Sequence, residues 1–495
     1  MRNISKMKFT KMGLLIALTL SISCNKPANT PAPPVNTPPP ANSSDKNISS
    51  FVFTASLNTS LQSDVSGTIS ADSIKVILPF GTPLTDLVPS ITTSGTSISP
   101  GSLTKRDFSS PVSYVVKAKD SSTHTYTVVV NTSPVDATIF INFTGYDDAT
   151  DSGIAELKAL DANTGKLKWE YKKSTKSVIL ASPAFFNGLV YTCIGNSIYC
   201  IDTTTKSNKW TYTTGDFLCS TPTIVNGILY LNSTDGNLYA IDARTGSLKW
   251  KYFEGPSPKN GGGNNGSSPT VVDGVVYTGG LNEYLYAVDV NTGTIKWKFD
   301  DSYDNGDNIY TSPSVVNGIV YFAGVYNFFA INANDGSLKW KFNSGGPVSS
   351  PTVANGVVYF GSTNQNIYAL DVNTGFPLWN NYTPFQLEGT PCVSNGIVFD
   401  GGSSPNSSVF YAFDGATGNI KWQYGYGNSI GSSPVVFNKV VYVVGIQDVL
   451  AIDVMTGKLK WAYAIDGRYQ DVETSPCIVD KNGNIYYSGI SGSQN

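Results

Sequence analysis

Eight tryptophans are all the chain contains, and each holds the same place in a unit that recurs every 39–47 residues: Trp169, Trp210, Trp250, Trp297, Trp340, Trp379, Trp422 and Trp461. Eight positions before each stands Asp161, Asp202, Asp242, Asp289, Asn332, Asp371, Asp414 or Asp453. Four before each stands Gly165, Gly246, Gly293, Gly336, Gly375, Gly418 or Gly457, with Lys206 the one departure. A repeat of this length is one supersecondary unit that needs its neighbours to bury its apolar face. The spacing has a physical cause. Asp or Asn folds its side chain back onto backbone N–H groups, and Gly supplies the positive φ of a tight reversal. Trp then ends an outer strand with a large flat surface, exposed in a lone sheet but covered when another sheet follows.

A second marker also occurs eight times: Ser182-Pro183, Thr221-Pro222, Ser268-Pro269, Ser312-Pro313, Ser350-Pro351, Thr390-Pro391, Ser433-Pro434 and Ser475-Pro476. Proline at the first residue of a strand costs no ladder bond. An apolar run follows, then commonly Asn-Gly or Asp-Gly, a strong hairpin signal. Each unit reads strand A, tight turn, strand B, variable loop, strand C, Asp-led turn, strand D, which is a propeller blade. Trp169 has no Ser-Pro before it and Ser475-Pro476 no Trp after it. The chain ends are therefore expected to share one blade and close an eight-bladed ring over 138–490. Five candidate strands (138–143, 155–160, 166–171, 475–479, 484–489) compete for four places there, so one should pair irregularly.

Composition agrees with an all-β fold. Charged residues make up 14% of the 495, against roughly 25% in a typical soluble domain, while Gly (47), Tyr (28) and Pro (27) are plentiful. That excludes a helical bundle. Beyond the basic leader the chain is acidic and lacks basic clusters, which argues against nucleic acid as a partner. The single histidine, His124, excludes multi-His metal sites and reads as a strand or turn residue. Aligning Gly306 with the glycine of a calcium loop leaves Tyr303 and Ser312 where acidic ligands belong. No metal and no cofactor are expected.

Residues 1–23 carry Arg2, Lys6, Lys8 and Lys11 ahead of the apolar run 13–20, the pattern of an export signal too short to span a membrane. Cys24 directly follows Ser23 and resembles a bacterial lipobox cysteine, with Ser21 standing where Leu is usual. The resemblance implies lipid attachment at Cys24. Seven prolines in 25–49 favour an extended tether over 24–49. Of the remaining cysteines (193, 200, 219, 392, 477), none are vicinal and the number is odd; buried thiols are expected, with Cys193 and Cys200 the nearest to a pair.

Residues 50–133 show short alternating strands at Phe51–Phe53, Ile74–Leu78, Val112–Val116 and Thr125–Val130, divided by turn residues. Such spacing reads as a small antiparallel sandwich. The stretch resembles the bacterial Ig-like modules of surface lipoproteins, most closely over 107–130, which implies a spacer or adhesion module.

The blades resemble the PQQ-like repeat family, which includes BamB, a lipoprotein of outer-membrane protein assembly, and quinoprotein dehydrogenases. The BamB likeness implies a non-catalytic, monomeric outer-membrane or surface lipoprotein, exported and lipid-anchored in the bacterial cell envelope at the outer membrane, whose propeller docks an envelope protein. The alternative is a surface lipoprotein that binds a glycan or small ligand. A PQQ-dependent dehydrogenase is the third reading; such enzymes typically carry a vicinal cysteine pair, which this sequence lacks, so no enzyme is expected. In an antiparallel blade the A–B and C–D turns share one face, and these are minimal. The long insertions fall on the B–C/D–A face, 402–408 among them, and variable loops on a rigid frame are where binding residues usually sit. The candidate binding residues there are Tyr303, Asp304, Tyr382, Phe385, Glu388 and Tyr426.

Overall fold

The computed structural model describes residues 44–79, 82–133, 136–147, 152–175, 181–218, 220–255, 266–280, 282–300, 309–346, 348–404, 407–465 and 474–487. The chain divides into two compact units, one built from residues up to 131 and one from 132 onward, with 79–81 grouped in the second. Every regular element described is a β-strand. The architecture is all-β and of propeller type, preceded by a small sandwich. The export signal, Cys24 and most of the tether lie outside the described residues.

In the first unit, Ile48–Phe53 pairs with Val65–Ser66 and Pro89–Thr93 in a three-stranded sheet. A second sheet has the order Thr68–Ser70, Ser73–Leu78, Thr123–Thr132, Val112–Lys117, Ser97–Ser99. All four strands read from alternation are present. Strands 65–66, 68–70, 89–93 and 97–99 carry no alternating signal, because they are short and largely Ser and Thr. Phe51, Phe53, Phe108, Tyr114, Val116 and Val128 pack the core. His124 donates or accepts through Nε2 at 2.8 Å from Asp72 Oδ1, on the hairpin as expected.

From residue 137 onward the described strands form eight antiparallel sheets. We number them I to VIII. Sheet II runs 184–213, III 223–253, IV 270–300, V 314–343, VI 352–382, VII 386–426 and VIII 435–464. Sheet I joins the two ends of this unit in the order Leu167–Ser174, Ser152–Asp161, Ala137–Asp147, Cys477–Asp480, Ile485–Tyr486. All five candidate strands are used. The irregular one is Ile485–Tyr486, which extends the sheet past strand A, where the other sheets stop.

Two sets of bonds join the sheets. Near the start of strand A, seven of the eight marker hydroxyls accept a hydrogen bond from the backbone N–H of the preceding marker, the exception among the described residues being Thr390. Ser182 donates to Thr221, Thr221 to Ser268, Ser268 to Ser312 and Ser312 to Ser350, at 2.9–3.1 Å. Thr390 donates to Ser433, Ser433 to Ser475, and Ser475 back to Ser182, at 2.8–3.0 Å. The proline fixes the strand start, and the residue before it carries the link. Strands A also touch in succession, with 477–480 meeting both 435–437 and 184–186.

At the outer edge, tryptophan supplies the second set. Trp210, Trp250, Trp297, Trp340, Trp379, Trp422 and Trp461 each donate through Nε1 to a backbone carbonyl of the following sheet, at 2.9–3.2 Å. In five seams a strand B tyrosine donates to that same oxygen; Tyr277 and Trp297, for example, share the Ala333 carbonyl. The glycine of the motif has a second reason to be glycine. Gly336 has a φ of 72°, and a Cβ there would stand 2.8 Å from the Trp297 ring. The exceptions coincide: Trp169 belongs to the seam whose next turn carries Lys206 (φ 58°), and it packs with Phe140, Phe185 and Val190.

The Asp-led turns form as expected. Asp289 Oδ1, for instance, accepts from Asn291 N at 3.0 Å and Thr292 N at 3.1 Å. Cys193 and Cys200 lie on facing strands but opposite Ile198 and Tyr191, respectively. Cys200, Cys392 and Cys477 are buried free thiols. Burial pushes Cys200 and Cys392 up to about 11 and Cys477 up to about 12, which makes them poor nucleophiles.

Candidate functional site

On the B–C/D–A side, the strand B to strand C reversals of sheets III, IV and VI are held against the end of the preceding sheet's strand D. Asn282 Nδ2 and Tyr286 Oη both donate to the Glu254 carbonyl at 2.6 Å. Asn364 Nδ2 donates to the Ser344 carbonyl at 2.6 Å, and Tyr368 shares that acceptor at 3.4 Å. In sheet III, Asp235 accepts from Gly215 N at 2.9 Å and from the Tyr239 hydroxyl. The signal was present in the sequence: Asp235, Asn282 and Asn364 each stand four before a tyrosine. These polar groups brace the sheets and leave the surface to the aromatic rings beside them.

Of the candidate residues, Tyr303 and Asp304 lie outside the described residues. Tyr382 is 63% exposed, at the end of a strand D, and donates to Gln365 Oε1 at 2.9 Å. Its ring faces solvent, so it can stack on a flat ligand. Glu388 is exposed nearby. Phe385 is half-buried and packs on the core of sheets VI and VII, where a Cβ at Gly402 would stand 2.7 Å from it. Tyr426 is also half-buried; it covers Gly445 and donates to Asp448 Oδ2 at 3.1 Å. Burial, with Asp448 beside it, pushes its hydroxyl up to about 12. Phe385 and Tyr426 therefore serve packing first. Where a loop was expected, 402–404 and 407–408 are paired strand: Ile397–Ser404 pairs with Ser407–Asp414, and Gln386–Leu387 pairs onto Ser403 and Gly402. Phe253 and Phe217, 60% and 44% exposed, flank the Asp235 turn through the 237–253 pairing and the Phe217–Thr234 backbone bond.

Sequence reasoning also missed Asp400. It is fully buried on strand B of sheet VII, where the neighbouring sheets carry Phe360 and Val443. Oδ1 accepts from Gly401 N at 2.8 Å, while Oδ2 has no partner among the described residues. Gly361 and Gly389 make room; a Cβ on either would stand 2.8 or 3.3 Å from the carboxyl. Burial drives its pKa well above the ordinary carboxylate range. The signal was an acid inside the apolar run Ile397-Val398-Phe399.

Two family models match. Residues 154–381 and 329–494 match the family described as "Outer membrane protein assembly factor BamB". The chain belongs to that family. Residues 54–130 match "SGBP, N-terminal", which makes the small sandwich a distinct N-terminal module of that description. No curated protein matches the chain. Among solved structures, quinohemoprotein alcohol dehydrogenase from Comamonas testosteroni is 14% identical with a TM-score of 0.51, over 61% of this chain and 70% of that one. A europium-containing methanol dehydrogenase is 14% identical with a TM-score of 0.50, over 65% and 84%. The computationally designed Ika8 protein is 14% identical with a TM-score of 0.51, over 67% and 97%.

At such identity these structures share the fold alone. They nevertheless correct one expectation. The non-enzyme reading rested on the BamB likeness and on the lack of a vicinal cysteine pair, whereas this BamB-family propeller is built like those of dehydrogenases, and a fold does not choose between scaffold and catalyst. Among the described residues no group of three His, Cys, Asp or Glu gathers to hold a metal. No residue set is therefore assigned to a quinone with its metal ion, and no step is derived through them.

Proposed function

We propose that the chain binds a glycan or small ligand at the cell surface, on the B–C/D–A side of a closed eight-bladed ring, with a lipid on Cys24 as its anchor. The observation that carries this reading is the SGBP-type module over 54–130, on the same chain as a propeller that presents Tyr382, Phe253 and Phe217 to solvent. A sugar ring offers an apolar C–H face to an aromatic side chain and hydroxyls to the amides and carboxylates around it. The family description supports an envelope location in general terms. Ring closure is supported by the hydrogen bond from Ser475 to Ser182 and by the pairing of 477–480 with 137–147.

The test is retardation of the full chain in gels cast with soluble polysaccharides, comparing wild type with the triple variant Phe217→Ala, Phe253→Ala, Tyr382→Ala. Retardation by at least one polysaccharide, lost in the variant, supports the reading; equal mobility of both proteins on every polysaccharide rejects it. A second reading, docking of an envelope protein by a single copy of the chain, is favoured by the assembly-factor description over 154–494. Cross-linking in whole cells separates the two: a discrete partner band lost with the same triple variant places the aromatic side against a protein.

A further inference from the structure

The opposite side, with the tight A–B and C–D turns, carries a cavity that the reading above does not use. It lies between sheets II and III and has a volume of about 330 Å³. Phe186, Asn187, Gly188 and Leu189 form one wall, Asp202, Thr204 and Lys209 another, and Arg244 closes the third side. The Phe186 ring reaches the turn of sheet III, where a Cβ on Gly227 would stand 3.8 Å from it. The Gly227 carbonyl accepts from Ala243 N at 2.9 Å, which fixes Arg244 beside the ring.

This combination occurs once. At the place of Phe186, three residues after the marker proline, the other sheets carry Val225, Val272, Val316, Ala354, Ser394, Phe437 and Val479. At the place of Arg244 they carry Asn163, Thr204, Asn291, Asn334, Asn373, Ala416 and Met455. Only this seam sets an aromatic wall against a guanidinium, and Phe437 is already covered by Tyr486, ring centroids 4.7 Å apart.

The charges point to an anion. Asp202 is committed: its Oδ1 accepts from Thr204 N and Thr205 N at 2.9 and 3.0 Å, and those bonds, Thr205 first, hold its carboxyl below the usual range. Its other oxygen lies 3.7 Å from Lys209 Nζ, whose side chain remains 45% exposed. No carboxylate among the described residues forms an ion pair with Arg244. One acid thus faces two cations, and the Arg fork suits a planar carboxylate.

We propose that this cavity binds a carboxylate-bearing sugar ring, a hexuronate, with the carboxylate on Arg244 and Lys209 and the apolar ring face on Phe186. The volume, at the low end of small-molecule pockets of roughly 300–1,000 Å³, takes one ring rather than an oligosaccharide. Asn187 and Thr204 stand on the rim for its hydroxyls. The site is separate from the aromatic loops, so this inference does not rest on the proposal made for them.

Titration calorimetry of the full chain with glucuronate, and with glucose as the uncharged counterpart, tests it. Wild type is expected to bind glucuronate and to show at least tenfold weaker binding of glucose. Arg244→Gln should weaken glucuronate at least tenfold, and Phe186→Leu should weaken it while leaving the cations in place. Because Arg244 is exposed, unchanged thermal melting is expected to show that Arg244→Gln folds. No glucuronate binding by wild type, equal binding of the two sugars, or an Arg244→Gln variant that binds as wild type each overturns the proposal. The triple variant at Phe217, Phe253 and Tyr382 should bind glucuronate normally, so loss at one side is read independently of loss at the other.

Discussion

The two sides of the propeller use the same strands for opposite ends. On the tight-turn side the chain repeats itself, and nearly every polar group is consumed within the repeat: Asp289 holds its own turn, Gly336 makes way for Trp297, and Trp297 bonds the next sheet. On the loop side, length and sequence differ from sheet to sheet, and rings such as Tyr382 and Phe253 remain outside the packing. Damage should therefore show itself differently on the two sides. Substitution at a repeated position is expected to change stability, and substitution at an exposed loop-side ring is expected to change binding. The Phe186–Arg244 cavity stands apart, because it lies on the repeated side at positions that do not repeat.

The largest effect should come from Trp297→Ala. Removing a large aromatic from a packed seam costs about 3–5 kcal/mol, and here the Ala333 carbonyl also loses one of its two donors. Thermal or urea unfolding should show the loss, and a native midpoint would mean that the seam tolerates an empty tryptophan site. Asp400→Asn should act in the other direction, stabilising by about 1–3 kcal/mol near pH 8, the order of cost of an unsatisfied buried polar group. The sign follows from its raised pKa. The folded chain favours the protonated acid, so stability is fully present at pH below the ordinary Asp range. It falls as pH rises from there toward the folded value. Unfolding midpoints measured between pH 4 and 9 should therefore slope downward more steeply in wild type than in Asp400→Asn; parallel profiles would show that the carboxyl finds a partner.

Ser312→Ala removes the acceptor for Ser268 N and should cost about 1 kcal/mol, the usual net worth of one hydrogen bond. The same assay reads it, and an effect as large as that of Trp297→Ala would move the main fastening from the outer edge to the inner one. Tyr382→Ala should be the smallest in stability, within about 0.5 kcal/mol as for an ordinary surface change, while weakening polysaccharide binding. If it unfolds the protein instead, the division between the two sides fails at the residue chosen to represent binding.

Sequence and structure agree where the chain repeats. Strand order, the Asp-led turn and the seam tryptophan were legible because eight copies of one spacing average out local ambiguity. The serine or threonine before each proline was legible as a position but not as a bond, since its acceptor role exists only between units some forty residues apart. The strand B tyrosines looked like ordinary strand formers for the same reason. The site was far less legible. Phe385, Tyr426 and Tyr382 are all aromatics beside loops, and nothing local distinguishes the two that pack from the one that faces solvent. Asp400 was visible as an acid in an apolar strand, but the room for it comes from Gly361 and Gly389, which the sequence places elsewhere.

Sheet I has a consequence for how the chain folds as it leaves the ribosome. Its strand Ala137–Asp147 emerges early, yet the partner on one side, Cys477–Asp480, arrives more than three hundred residues later. Until then residues 137–140 of this strand present bare backbone N–H and C=O groups on that edge, the kind of template that recruits strands from other chains. The interval is set by the rate of synthesis rather than by local folding speed. A holding chaperone that shields this edge would be needed most during that interval, and slowing translation between 147 and 477 should lengthen the exposure and raise aggregation without altering a single native contact.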